Sequence, residues 1–291
     1  MIQADTLLPT AEGAELKTGL SFADYLAIDA VNVSTLLHFL DNTDKMAQWE
    51  IRKPKKETDS QLFGHAVHAA ILEPTTFDDL YTQMPSFGDL RTKAGREARD
   101  EWAERNIGKA QVPGEMYARV LETRDLVLKS PDPELRELFA GPGQNELTIL
   151  FRDEQTDLPC KARVDRITTL HGWPVLIDIK TAKAMGNYAL EKDLAQWNYH
   201  VRLAWYMDAL SRVKPADWMT VFVWISNSGP CEVRMSQCDD PVWEEGRAAY
   251  RHCLERYARC VESGQWDSYA PGIEVVNPPR WAYRFTTPVD A

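Results

Sequence analysis

Residues 160–180 read CKARVDRITTLHGWPVLIDIK, and the folding of this stretch decides how the remainder is read. Two apolar runs lie in it, Ala162-Arg163-Val164 and Val175-Leu176-Ile177, separated by His171-Gly172-Trp173-Pro174. Glycine and proline between β-branched runs signal a turn, so the stretch reads as a hairpin of two strands. In this reading Asp165 ends the first strand, and Asp178 and Lys180 end the second. Strand residues two apart share a face, so Asp178 and Lys180 point one way and Ile179 points into the core. The hairpin brings Asp165 beside them.

Two carboxylates and a lysine converging at strand ends suit metal-dependent chemistry on phosphodiesters. Hard oxygen ligands hold Mg2+ or Mn2+, ions that keep several waters and bind substrate phosphates. Such an ion lowers the pKa of a bound water and neutralises charge growing on the phosphate. A lysine beside it can orient or deprotonate the attacking water, or stabilise the charged transition state. The plainer reading of the same residues is a surface hairpin with a salt bridge, since Asp-x-Lys is a short and common pattern.

Three blocks in order carry a resemblance. They are FGHAVHAAILEP at 63–74, CKARVDR at 160–166 and YHVRLAWY at 199–206. Together they resemble the exonuclease VIII (RecE-type) family of phage and prophage recombination nucleases. Asp165 and Asp178-Ile179-Lys180 resemble that family's PD-(D/E)XK core. The similarity runs from about Val33 to Trp281. It implies an α/β fold with a restriction-endonuclease-like core, a mixed central sheet flanked by helices. It also implies a Mg2+-dependent exonuclease, with Mn2+ as a substitute, acting 5′→3′ on linear double-stranded DNA. The product would be a 3′ single strand for a RecT-type annealing protein, and the enzyme a homo-oligomeric ring threaded by DNA.

The resemblance also assigns residues. Asp165 and Asp178 would hold the metal, with the Ile179 carbonyl as a further ligand. His68 would complete the shell, through the Gly-x-x-x-His pattern formed with Gly64. Read without the resemblance, His65 and His68 are three apart on one helical face and fit a core or first-turn role. His65 does not match the family position and reads as structural. Lys180 would position or activate water. The family carries Gln-x-x-x-Tyr on a helix crossing the sheet. Here Tyr206 is present, and Arg202 stands in the glutamine position, where its fixed charge suits a phosphate oxygen. Gln196 lies upstream, nearly two helical turns from Arg202. The family's glutamate after the following strand is replaced by Ser226-Asn227-Ser228.

The chain of 291 residues is long enough for a substantial core, and 44% hydrophobic with 26% charged residues describes an ordinary soluble protein. No apolar run reaches bilayer length, so no membrane partner is expected. The N-terminus lacks a basic region followed by an apolar one, and cytoplasmic location is the default expectation. Five cysteines without a Cys-x-x-Cys pair fit free, mostly buried thiols. A net charge of −11 argues against a protein that coats nucleic acid through a broad basic field. A nuclease remains compatible, because a local basic groove and a divalent ion place positive charge where phosphate binds.

Along the chain, residues 1–20 read as a flexible lead and 21–291 as one nuclease domain, helical over about 31–140 with its core at about 141–265. Helices are expected over Val31–Glu50, Gln61–Leu72, Arg91–Arg105, Gly114–Lys129, Asp193–Leu210 and Pro241–Gly264, with a short turn of helix at Pro133–Phe139. Residues 75–90 read as loop. Arg52-Lys53-Pro54-Lys55-Lys56 is a basic loop, solvated or touching phosphate. Arg91, Lys93, Arg96 and Arg99 open a charged helix that is either a solvated face or a grip on a DNA backbone. Strands are expected at Asn145–Arg152, Trp218–Ser226 and Cys231–Met235. Glu146 begins the first of these, as an edge charge or as an extra acid near the metals. Pro278-Pro279-Arg280-Trp281 reads as a strap packed on the body.

Three functions compete: the exonuclease, a DNA- or protein-binding module of weak or no activity on the same fold, and an endonuclease of the restriction type.

Overall fold

The computed structural model describes residues 13–54, 56–279 and 282. In chain order come β1 (Ala14–Lys17), α1 (Phe22–Ala27), α2 (Val33–Leu36) with a 3-10 turn at Leu37–Phe39, α3 (Asp44–Arg52), α4 (Asp59–Leu72), α5 (Phe77–Leu80) and β2 (Tyr81–Met84). Next are α6 (Lys93–Arg105), β3 (Ala110–Pro113), α7 (Gly114–Leu128), α8 (Pro133–Ala140), β4 (Gln144–Arg152), β5 (Pro159–Leu170) and β6 (Trp173–Ala182). The last are α9 (Asn187–Gln196), α10 (Tyr199–Val213), β7 (Met219–Ser226), β8 (Val233–Ser236) and α11 (Asp240–Ser263).

A six-stranded sheet in the order β1-β4-β5-β6-β7-β8 organises these elements, and a parallel pair of β2 and β3 stands apart. Only the β6–β7 pair of the large sheet is parallel. Parallel neighbours need a crossover, which α9 and α10 supply. Helices cover both faces. On one side α10, α11 and α2 pack over Leu147, Ile149, Ala162, Val164, Phe222 and Trp224. On the other, α4, α7 and α8 pack over Val175, Ile177, Ile179, Val221 and Val223. Gly246 lets α11 approach α10 closely, since a Cβ there would sit 2.7 Å from the His200 carbonyl oxygen. No helix among the described residues is long and apolar enough to cross a membrane.

The central hairpin forms as its punctuation suggests, with a shorter turn. His171 and Gly172 both take positive φ (50° and 84°), and Leu170 faces Trp173. That is the geometry of a two-residue hairpin turn whose twist matches the strands. Trp173 and Pro174 therefore belong to β6. Asp165 does not end its strand, because so tight a turn lets β5 run on to Leu170.

Other expectations hold or shift for local reasons. The α4, α7, α8, β4, β7, β8 and α11 ranges fall within two residues of those expected. α4 opens with a capping box between Thr58 and Gln61. The helix expected over Val31–Glu50 is broken. Asn32 caps α2, the Asn42 amide caps the His38 carbonyl, and Thr43 starts α3 afresh. The helix expected over Asp193–Leu210 is split at Asn198, which adopts a left-handed backbone (φ 53°). Part of the lead is β1, paired with β4, and part of the 75–90 loop is α5 and β2. In the basic loop Lys53 lies over Trp49 and pairs with Glu50, while Lys55 lies outside the described residues. Of the strap, Pro278 and Pro279 are exposed rather than packed, and Arg280 and Trp281 lie outside the described residues. The five cysteines are free thiols, three of them buried.

Candidate active site

The site lies where β5 and β6 part. Their ladder runs from Leu170↔Trp173 to Arg166↔Ile177. The next position pairs Asp165 with Asp178, and there the ladder has opened. Asp165 Oδ2 accepts the Ile179 amide at 2.7 Å, replacing a main-chain rung. Side-chain alternation on β5 lapses at the same point. Ala162 and Val164 join the core beneath α10, and so does Ile167, three residues on. Asp165 and Arg166 therefore turn away from that layer consecutively, a local irregularity of the kind found beside active sites. Arg166 uses the turn to reach the Leu138 and Gly141 carbonyls, fixing the end of α8. Across from Asp165, Glu146 of β4 has φ 51°, a left-handed backbone that is uncommon for this residue type.

These distortions bring acids together with a helix from the other layer. His68 is on α4, and its Nε2 donates to the Ile179 carbonyl at 2.9 Å. In the neutral ring that bond leaves Nδ1 as the acceptor nitrogen, and Nδ1 stands 3.8 Å from Asp165 Oδ2. Ligand atoms of His68, Glu146 and Asp165 all lie within 4.8 Å of one another. On β6, Lys180 Nζ sits 2.5 Å from Asp178 Oδ2, donates to the Ile179 carbonyl at 3.1 Å, and lies 5.3 Å from the Tyr199 ring centre. Asp178 is 1% exposed, and neither of its oxygens has an aligned hydrogen-bond partner.

Burial and crowding dominate the electrostatics. Desolvation pushes the Asp178 carboxyl up from its ordinary range, and the Asp165 charge adds to this while Lys180 opposes it. Glu146 is raised by the same desolvation and by Asp165, against Arg163. Tyr206 is raised well above the phenol range by burial, so its hydroxyl keeps its proton. Tyr199, beside Lys180, is pushed up to about 12 for the same reason.

The donor set fits a hard divalent ion. Carboxylate oxygens with an imidazole nitrogen suit Mg2+ or Mn2+. Lys180 stands against Asp178 Oδ2, which leaves the buried Oδ1 without a partner, and a buried carboxylate oxygen of that kind is costly unless a cation or donor meets it. His68, Glu146, Asp165 and Asp178 are the residues that could hold it. The Ile179 carbonyl is already engaged by two donors, His68 and Lys180.

The remaining expected residues scatter. Tyr206 lies on α10 within electrostatic reach of Asp178 and Asp165. Arg202 donates through Nη1 to Ser34 Oγ at 2.8 Å, tying α10 to α2. Gln196 is exposed at the end of α9, on the far side of the Asn198 break. Arg91, Lys93 and Arg96 are exposed and bound locally, Lys93 to Glu97 and Arg96 to the Arg91 carbonyl. Among the described residues, no hydrogen bond or ion pair links them to the acids of the site. A shallow cavity of about 420 Å3 beside Asp44, Arg256 and Tyr269 contains none of these residues. Sequence reasoning missed Arg163 and Tyr199. The period-two spacing of Arg163 and Asp165 was the available signal for the first.

The chain matches, over residues 33–279, the family described as PDDEXK-like domain of unknown function (DUF3799). No curated protein matches it. Among solved structures it is similar to a candidate exonuclease from Eubacterium rectale, at 12% identity and TM-score 0.58, covering 86% of this chain and 89% of that one. Two more distant matches carry no weight for the fold. SSO0001 has 14% identity, TM-score 0.28, and 77% and 85% coverage. Protein VC1899 from Vibrio cholerae has 10% identity, TM-score 0.23, and 88% and 60% coverage. The mixed sheet, the opened hairpin bearing Asp165 and Asp-Ile-Lys at 178–180, and the match across most of the sequence agree: this chain belongs to the PDDEXK-like DUF3799 family.

Proposed function

We propose that this protein is a divalent-metal-dependent DNA exonuclease, acting 5′→3′ on linear double-stranded DNA and leaving 3′ single strands. The observation that carries the reading is the convergence of the His68–Glu146–Asp165 cluster with a buried Asp178 carboxylate whose one close partner among the described residues is Lys180. The likeness to a candidate exonuclease supports it at the level of fold. Polarity, a ring of identical subunits, a RecT-type annealing partner and cytoplasmic location follow from the RecE-type resemblance.

Bound Mg2+ or Mn2+ would supply Lewis acidity and a water of lowered pKa. The chain's own residues do the rest. Asp165, Asp178, Glu146 and Nδ1 of His68 present the ligand atoms. Lys180 stands beside Asp178, placed to orient a nucleophilic water or to stabilise phosphate charge. Tyr206 retains its phenolic proton and is available as a neutral hydrogen-bonding hydroxyl. Arg202 donates through Nη1 to Ser34, and its remaining guanidinium donors would be those that meet a phosphate oxygen.

The test uses linear and covalently closed duplex DNA with Mg2+, end-labelled on either strand. Digestion of the linear form alone, starting from the 5′ end, is expected, with Asp178→Ala inactive. Cutting of the closed circle supports the endonuclease. DNA retention without cleavage supports a binding module.

A further inference from the structure

We propose that Arg163 is a positioning residue that holds Glu146 in place as a metal-binding carboxylate. The inference rests on the metal-site reading above. Period two on β5 puts Arg163 on the side of the strand from which Asp165 also projects, opposite Ala162 and Val164. Its register partner on β4 is Thr148, two residues beyond Glu146. From there the guanidinium Nε donates to Glu146 Oε2. Nη1 donates to the Leu20 carbonyl at 2.9 Å and reaches the Thr148 hydroxyl at 3.4 Å. The Tyr25 ring lies 5.7 Å from the guanidinium carbon. The pair is enclosed, with Arg163 7% and Glu146 15% exposed.

Glu146 needs such an anchor. Its left-handed backbone is not one that glutamate adopts by preference, and the carboxylate is aimed at two other site residues, Asp165 and His68. Left alone, it would relax towards the ordinary strand and lift its oxygens from the cluster. A planar, always-charged fork tied on one side to Leu20 and Thr148 permits one setting of the carboxylate. Groups that orient metal ligands in this way commonly govern metal affinity by about 10–100-fold.

The experiment is calorimetric titration of the full chain with Mn2+, alone, for the parent, Arg163→Met, Arg163→Lys, Glu146→Gln and the two double variants. Arg163→Met is expected to weaken Mn2+ binding about 10–100-fold, and Arg163→Lys to fall between it and the parent. In the Glu146→Gln background neither change at 163 should weaken binding further. Parent-like affinity in Arg163→Met, or the same loss in both backgrounds, overturns the inference. If circular dichroism shows that Arg163→Met is unfolded, Arg163→Lys is judged by the same two criteria. A parent that binds no Mn2+ overturns the metal-site reading and this inference together. A parent that binds, with insensitive Arg163 variants, overturns this inference alone.

Discussion

The Ile179 amide and the Asp165 carboxylate are joined by a 2.7 Å hydrogen bond that stands in for a missing rung between β5 and β6. Asp165 is thus part of the sheet as well as of the acid cluster. Asp165→Ala leaves that amide without an acceptor, and urea unfolding should report a loss of about 1–3 kcal/mol. Asp165→Asn keeps an acceptor oxygen and should cost less. Both should lower Mg2+-dependent DNA cleavage by about 10²-fold or more.

Asp178 makes the opposite prediction for stability. Its folded pKa lies above the ordinary carboxylate value, chiefly through burial. The native state therefore binds this proton more tightly than the unfolded chain does. The stabilisation is complete below the unfolded pKa and is lost as pH rises through the folded one. Above the folded pKa the ionised form is a cost. Asp178→Asn should raise the metal-free melting temperature at pH 8, by about 2–4 °C per kcal/mol relieved, and should abolish cleavage. Scanning calorimetry at pH 5 and pH 8 checks the sign, with the larger gain at pH 8.

Lys180→Met removes the cation that holds the Asp178 shift in check. A buried carboxylate is then left without its counter-charge. Destabilisation of about 3–5 kcal/mol is expected at pH 8. It should shrink as pH falls and Asp178 takes up a proton. A chemical denaturation series across that range measures it.

Divalent ions should stabilise the protein, and more so at higher pH. Asp178 and Glu146 both carry raised pKa values and must lose their protons to act as ligands. At a hundredfold excess over the dissociation constant, Mn2+ should add about 2.7 kcal/mol at pH 8. The gain should decline as pH falls through the raised pKa values. Thermal melts with and without Mn2+ at several pH values give the slope.

Asn198 sets the angle between α9 and α10 from a left-handed backbone. Asn198→Gly should be neutral or slightly stabilising, and Asn198→Val should cost about 1–2 kcal/mol. Because α10 carries Tyr199 and Tyr206, the valine variant should also weaken cleavage. Melting temperature and rate, measured together, test this.

Much of the frame was legible because it follows local rules. The hairpin was marked by His171-Gly172, α4 by its Thr58–Gln61 box, and β7 and α11 by their periodicity and flanking Gly and Pro. The misread pieces are those in which tertiary packing overrides propensity. In the run from Asp193 to Leu210 the one hint of the break is the residue type of Asn198, which tolerates a left-handed backbone. β1 and β2 are four-residue strands held only by their neighbours. In the site, Asp165, Asp178, Lys180 and His68 were visible through motif resemblance, and the structure gathers them. The position of Glu146 depends on a backbone conformation that no propensity favours, and the role of Arg163 depends on that position in turn. For Arg202 the motif suggested phosphate, and the tie from its Nη1 to Ser34 is a packing detail that the sequence did not announce.

The acids Glu146, Asp165 and Asp178 all come from β4, β5 and β6, successive strands joined by short turns. So do the cations that answer them, Arg163 and Lys180. Local antiparallel strands close cheaply, whereas the parallel seat of β7 must wait for the longer detour through α9 and α10. Mutual repulsion among the carboxylates is therefore opposed by charges carried on the same three strands, with no need of a distant helix to supply them.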